Sequence, residues 1–138
     1  MESPGTTTVK RQMIEYSVEL RIKVPINDET NPAEMLGLKA STFRRLEKEE
    51  ANWWGFNGGD EEATIYWTDL AEGIDFVLVR LEPQFENLRR LVEKYDCIWW
   101  CGHFHRGFDG GPSIPPELLL RLSNIGVELF LDTYCALE

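Results

Sequence analysis

The stretch Cys97-Ile98-Trp99-Trp100-Cys101-Gly102-His103-Phe104-His105 decides the fold. Its apolar residues run almost unbroken, and turn-forming neighbours bound it: Asp96 before, then Gly107 and Gly110-Gly111-Pro112 after. That pattern reads as a β-strand. Successive side chains of a strand point to opposite faces. Cys97, Trp99, Cys101, His103 and His105 therefore share one face, and Ile98, Trp100 and Phe104 share the other. A strand that is apolar on both sides belongs in the interior of a sheet rather than at its edge.

Working outward, residues 13–24 alternate almost strictly. Ile14, Tyr16, Val18, Leu20, Ile22 and Val24 face one way, while Glu15, Ser17, Glu19, Arg21 and Lys23 face the other. This is a strand with one buried and one wet face. Asn31, Pro32, Glu34 and Gly37 punctuate a short helix as N-cap, first position, third position and exit. Leu70, Ile74, Val77, Leu78 and Leu81 form an amphipathic stripe, which Phe85, Leu88, Leu91, Val92 and Tyr95 repeat beyond a break at Pro83. Pro115 and Pro116 open a helix lined by Leu118, Leu119, Leu122 and Ile125 and closed by Gly126. Residues 127–134 read as a last strand with Val127, Leu129 and Leu131 inward. Residues 63–68 (ATIYWT) have strand composition, and 42–46 fit either strand or helix, with strand preferred. Trp53-Trp54-Gly55-Phe56 reads as an aromatic loop between acidic runs.

The expected architecture is α+β: a mostly antiparallel sheet of four or five strands with helices packed on one face. Ferredoxin-like wiring is one topology that fits. Residues 1–11 are expected to be a disordered tail and 12–138 a single domain. The 138 residues, 43% of them hydrophobic, suffice for a core, and no run approaches the length of a membrane span. Met1 to Lys10 lacks a signal-type apolar stretch, and three cysteines do not make a disulfide framework, so a cytoplasmic location is expected. The formal net charge of −10 at pH 7 argues against nucleic-acid and anionic-membrane partners and would favour a basic protein partner.

The residues then become familiar. An alternating strand leads into Asn-Pro-x-x-x-Leu-Gly-Leu (31–38), and Trp67 precedes a leucine-rich helix interrupted by Leu81-Glu82-Pro83. The chain closes with Pro-Glu-Leu-Leu-x-Arg-Leu (116–122) and Gly-Val-x-Leu-x-Leu-Asp-x-Tyr (126–134). This resembles the small bacterial domain-of-unknown-function family 4279 over about Tyr16 to Tyr134. The resemblance implies a small cytosolic bacterial domain. It brings neither an established reaction nor catalytic residues.

Four constellations are candidates for a functional role. Cys101, His103 and His105 project from one face of a strand and could chelate Zn²⁺, with Cys97 or Asp109 as further donors. Packing of the same residues in a core is the more ordinary outcome. Thiol catalysis by Cys101 with His103 as base is disfavoured, because side chains two apart on a strand point alongside each other. The acidic runs, Asp60-Glu61-Glu62 among them, read as solvated faces, and no phosphate-binding loop or nucleophile elbow occurs. Trp53, Trp54 and Phe56, with Asp60 and Glu61, could form a partner-binding surface, since aromatic anchors dominate many interfaces. The expectation drawn from all this is a non-enzymatic, immunity-like or inhibitory protein-binding module. No cofactor is expected on that reading; the alternatives are a zinc-binding protein or metal-dependent enzyme using Cys101, His103 and His105, or a small-ligand binder on the sheet face near Trp99.

Overall fold

A computed structural model describes residues 14–107 and 110–135. The expected tail and Asp109 lie outside the described residues. Five strands form one sheet: β1 (Glu15–Pro25), β2 (Thr42–Leu46), β3 (Ala51–Phe56), β4 (Asp96–His105) and β5 (Leu129–Cys135). Their order across the sheet is β2-β3-β1-β4-β5. All neighbours are antiparallel except β4 and β5, which run parallel and are joined through a helix, as parallel neighbours require. The mostly antiparallel α+β architecture expected from the sequence is the one observed.

Four α-helices complete it among the described residues: α1 (Pro32–Leu36), α2 (Leu70–Leu81), α3 (Phe85–Lys94) and α4 (Pro116–Ile125). The Asn31 side chain accepts from the backbone of Ala33 and Glu34, and Asp69 caps α2 in the same way. Pro83 turns the chain through a single 3-10 turn between α2 and α3. All four helices send apolar residues to one cluster with Tyr16, Val18, Leu20, Ile22 and Val24 of β1 and with Trp99 and Cys101 of β4; of the stripe expected for α4, Leu118, Leu122 and Ile125 join it and Leu119 is exposed instead. The clean alternation of β1 thus becomes a two-sided sheet. Its even-numbered residues are covered by helices, and its odd-numbered residues look out from a face that no helix among the described residues covers.

Two expectations need correction. The Trp53–Phe56 stretch is not a loop. It is most of β3, an interior strand that receives β2 on one side and β1 on the other. The acidic run before it supplies the hairpin turn, with Glu50 in the left-handed region at φ 51°. Residues 63–68 do not form a strand either. Trp67 alone pairs with Tyr16, through two backbone hydrogen bonds of 2.7 Å. The physical reason lies just upstream. The Asn57 amide donates to the Ala63 carbonyl while its oxygen accepts from Gly59, which folds 57–63 into a compact turn and delivers only Trp67 to β1. The β-branched and aromatic residues there pack as a loop: Tyr66 lies edge-on to Phe104, and Trp67 lies against Phe76.

Candidate functional site

Register decides what each face of the sheet can do. Paired residues share a face, so Val18 opposite Cys101, Leu20 opposite Trp99 and Tyr16 opposite His103 place the Cys/His side of β4 under the helices. Trp99 and Cys101 are wholly buried, and burial pushes the Cys101 thiol up to about 12, so it is held as the neutral thiol. His103 is buried in a column of rings, stacked on Tyr16 at 4.9 Å and on His105 at 4.7 Å, with Nδ1 3.5 Å from the Thr133 hydroxyl. His105 Nδ1 lies 2.6 Å from the Gly107 carbonyl oxygen. Among the described residues, no three His, Cys, Asp or Glu side chains are placed to hold a metal ion.

The aromatic partner-binding set divides between the two faces. Phe56 is 0% exposed, opposite Leu20 in the core, so it cannot touch a partner and leaves the proposed surface. Trp54 packs partly against the same core, with Phe43 edge-on at 4.8 Å. Trp53 points the other way, half-buried beside Lys23, whose ammonium sits 5.9 Å from the ring centre. Asp60 and Glu61 are exposed in the segment between β3 and α2. The structure brings Trp53 to the helix-free face and separates it from Phe56.

That face holds the most elaborate polar arrangement of the described residues. Glu19 on β1 is only 9% exposed. Arg21 Nε donates to its Oε1 and the Thr42 hydroxyl to its Oε2, both at 2.7 Å, and the Ser41 hydroxyl lies 3.4 Å from Oε2. The neighbouring strand makes room for it: a Cβ on Gly55 would stand 2.5 Å from the Glu19 carboxyl carbon. Gly102 serves similarly on the other flank, where a Cβ would meet both the Ser17 hydroxyl and the Phe104 ring at 2.7 Å. Two bare Cα atoms on either side of β1 thus create the space in which Ser17 and Glu19 lie.

Aromatic side chains surround this centre. The Arg21 guanidinium lies over the Trp100 ring at 4.3 Å, and Trp100 Nε1 donates to Asp132 at 3.2 Å. Phe104 stacks on Tyr134 at 5.1 Å, and the Tyr134 hydroxyl donates to Asp132, which raises the tyrosine's pKa. Two adjoining hollows result. One, of about 230 Å³, runs from Ser17, Glu19 and Arg21 to Tyr66, Trp100 and Phe104. The other, of about 280 Å³, continues past Thr42 to Arg44 and Trp53.

Sequence reading missed Ser17, Glu19, Arg21 and Thr42, which look like the ordinary wet residues of a one-sided strand. The available signal was glycine inside an aromatic strand, at Gly55 and Gly102, which marks close approach of something to the backbone. A family model described as Domain of unknown function (DUF4279) matches residues 48–136. The Asn31–Leu38 element of the resemblance, and β1 with Ser17 and Glu19, lie before that segment. No curated protein and no solved structure matches the chain.

Proposed function

The chain belongs to the DUF4279 family, and we propose that it is a binding module rather than an enzyme, with the helix-free face of the sheet as its recognition surface. One observation carries this reading. Glu19 is nearly buried on a face no helix covers, held by Arg21 and Thr42 in a space left by Gly55, and ringed by Tyr66, Trp100 and Phe104. Buried polar groups and half-exposed aromatics around a concavity are the usual make-up of a ligand site. The engagement of the acidic groups supports binding over chemistry. Glu19 is tied to Arg21, Asp132 accepts from Trp100 and Tyr134, and Cys101 is a buried thiol.

A protein partner is the second reading, favoured by half-buried Trp53 on the rim of the same face and by the exposed acidic pair Asp60 and Glu61. With a net charge of −10, electrostatic steering would select a basic partner.

The adjacent tryptophans provide the test, because they report from opposite faces. NMR spectra of the ¹⁵N-labelled chain titrated with phenol, acetamide and isopropanol should shift the Trp100 indole and the amides of Gly55 and Gly102, and leave the Trp99 indole in place. Shifts gathered around exposed Val79, Leu119 and Leu120 on the helices would overturn the assignment of the surface.

A further inference from the structure

Four buried side-chain polar atoms among the described residues have no hydrogen-bond partner, and of these Ser17 Oγ is the one that borders the smaller hollow. The residue is 4% exposed. A buried hydroxyl without a partner is destabilising, and folds rarely keep one without a use for it. The other buried or partly buried polar side chains of the hollow have partners. Asn57 is bonded to Ala63 and Gly59, Thr42 to Glu19, and Glu19 to Arg21. The hollow is therefore bordered by a spare hydroxyl, which lies beneath its surface beside a paired carboxylate and guanidinium, with Tyr66 and Phe104 as aromatic walls.

We propose that this hollow is a binding site for a net-neutral, polyhydroxylated ring of monosaccharide size. The inference rests on the helix-free face being the recognition surface, and it adds the class of ligand. Charge comes first. Glu19 and Arg21 cancel within the hollow, so a charged ligand would have to break a partly buried ion pair and leave one member unpaired, which is costly. Donor and acceptor pattern comes second. A carboxylate beside a guanidinium offers an acceptor next to donors, and vicinal hydroxyls, like a primary amide, are neutral and answer both at once. Ser17 supplies a third point that can donate or accept. Shape comes last. About 230 Å³ lies below the range typical of drug-sized ligands, so it suits a single ring, and flat aromatic walls pack against its C–H surface. Phe104 lies beside the Ser17 hydroxyl above Gly102. Ser17 Oγ is out of solvent contact, so a ligand reaches it only if the Phe104 ring turns aside.

The experiment is a titration of the ¹⁵N-labelled full chain with D-glucose, D-galactose, D-mannose and myo-inositol to high millimolar concentration, beside acetate, phosphate and ethylammonium. A neutral polyol should saturate the shifts of the Trp100 indole and the Gly102 amide, with the Trp99 indole unmoved, while the ions do not. Ser17→Ala should weaken that polyol by about five-fold, the worth of one hydrogen bond, and raise Tm because the unanswered hydroxyl is gone. Tyr66→Ala, on an exposed wall, should weaken binding with Tm unchanged. Saturation by an ion and by no polyol would overturn the ligand class while leaving the recognition surface standing. The absence of saturable shifts on this face from any of these probes, where phenol or acetamide still shift it, would overturn the site. A fall in Tm on Ser17→Ala would overturn the role given to its hydroxyl.

Discussion

Trp99 and Trp100 adjoin in the chain and occupy opposite environments. Trp99 lies under the helices in the apolar cluster and is wholly buried, whereas Trp100 lies on the uncovered face beneath Arg21 with its indole N–H on Asp132. The difference shows how one sheet divides its work. Its helix-covered side holds the domain together through close packing, and its open side holds its charged groups and the Trp100 indole in place through pairing. Trp99→Ala should therefore cost about 3–5 kcal/mol, as large aromatic truncations in cores do, while Trp100→Ala should cost only about 1–2 kcal/mol from its cation–π and hydrogen-bond contacts. Urea denaturation of both variants measures the two values. Equal losses would break the distinction between the faces.

A smaller effect sharpens the same contrast from within the open face. Gly55→Ala would put a methyl 2.5 Å from the Glu19 carboxyl carbon, and the adjacent backbone cannot yield much inside an antiparallel ladder. A loss of about 1–3 kcal/mol is expected from overpacking and from displacement of Glu19 off Arg21 and Thr42. In the Glu19→Ala background the same substitution should cost much less, since contacting residues couple. A cycle that is simply additive would show that Gly55 does not serve to accommodate Glu19.

The sequence made most of the fold legible and little of the site, for one reason in both cases. β1, α2, α3 and α4 announce themselves because one face of each is apolar at a fixed period, and β4 does so as a continuous apolar run. β3 did not, because Ala51-Asn52-Trp53-Trp54-Gly55-Phe56 has tryptophan on both faces and glycine at the position where Glu19 intrudes, which erases the alternation. The 63–68 stretch has the right composition, but the Asn57 turn leaves it one point of contact with the sheet. The histidines and cysteines of β4 were correctly placed on one face. Which face that is depends on pairing with β1, and pairing is a property of register that a single strand does not reveal. The hollow is a further step removed, since it needs β1, β2, β3 and β4 together with the 63–66 segment.

The smallest expected effect concerns a polar contact outside both faces, at the end of the sheet. Asp28, just after β1, accepts from the Tyr95 hydroxyl at 2.6 Å and from the Thr30 backbone at 2.9 Å, with the Lys94 ammonium 3.8 Å away. The Tyr95 hydrogen bond first, then those from Thr30, hold its carboxyl down from 3.8 to about 2. A carboxyl with a depressed folded-state pKa stabilises the fold above its unfolded value. That contribution is intact above about pH 4 and disappears as the pH falls toward 2. Asp28→Asn should consequently lower the urea midpoint at neutral pH by a small amount, with the gap to the wild type closing as the solution is acidified below about pH 4. Tyr95→Phe should close most of the same gap, because it removes the strongest of the contacts that favour the charged form. A gap independent of pH would mean that Asp28 contributes through its turn geometry alone. In that case the link it forms between the end of β1 and the start of β4 owes nothing to its charge.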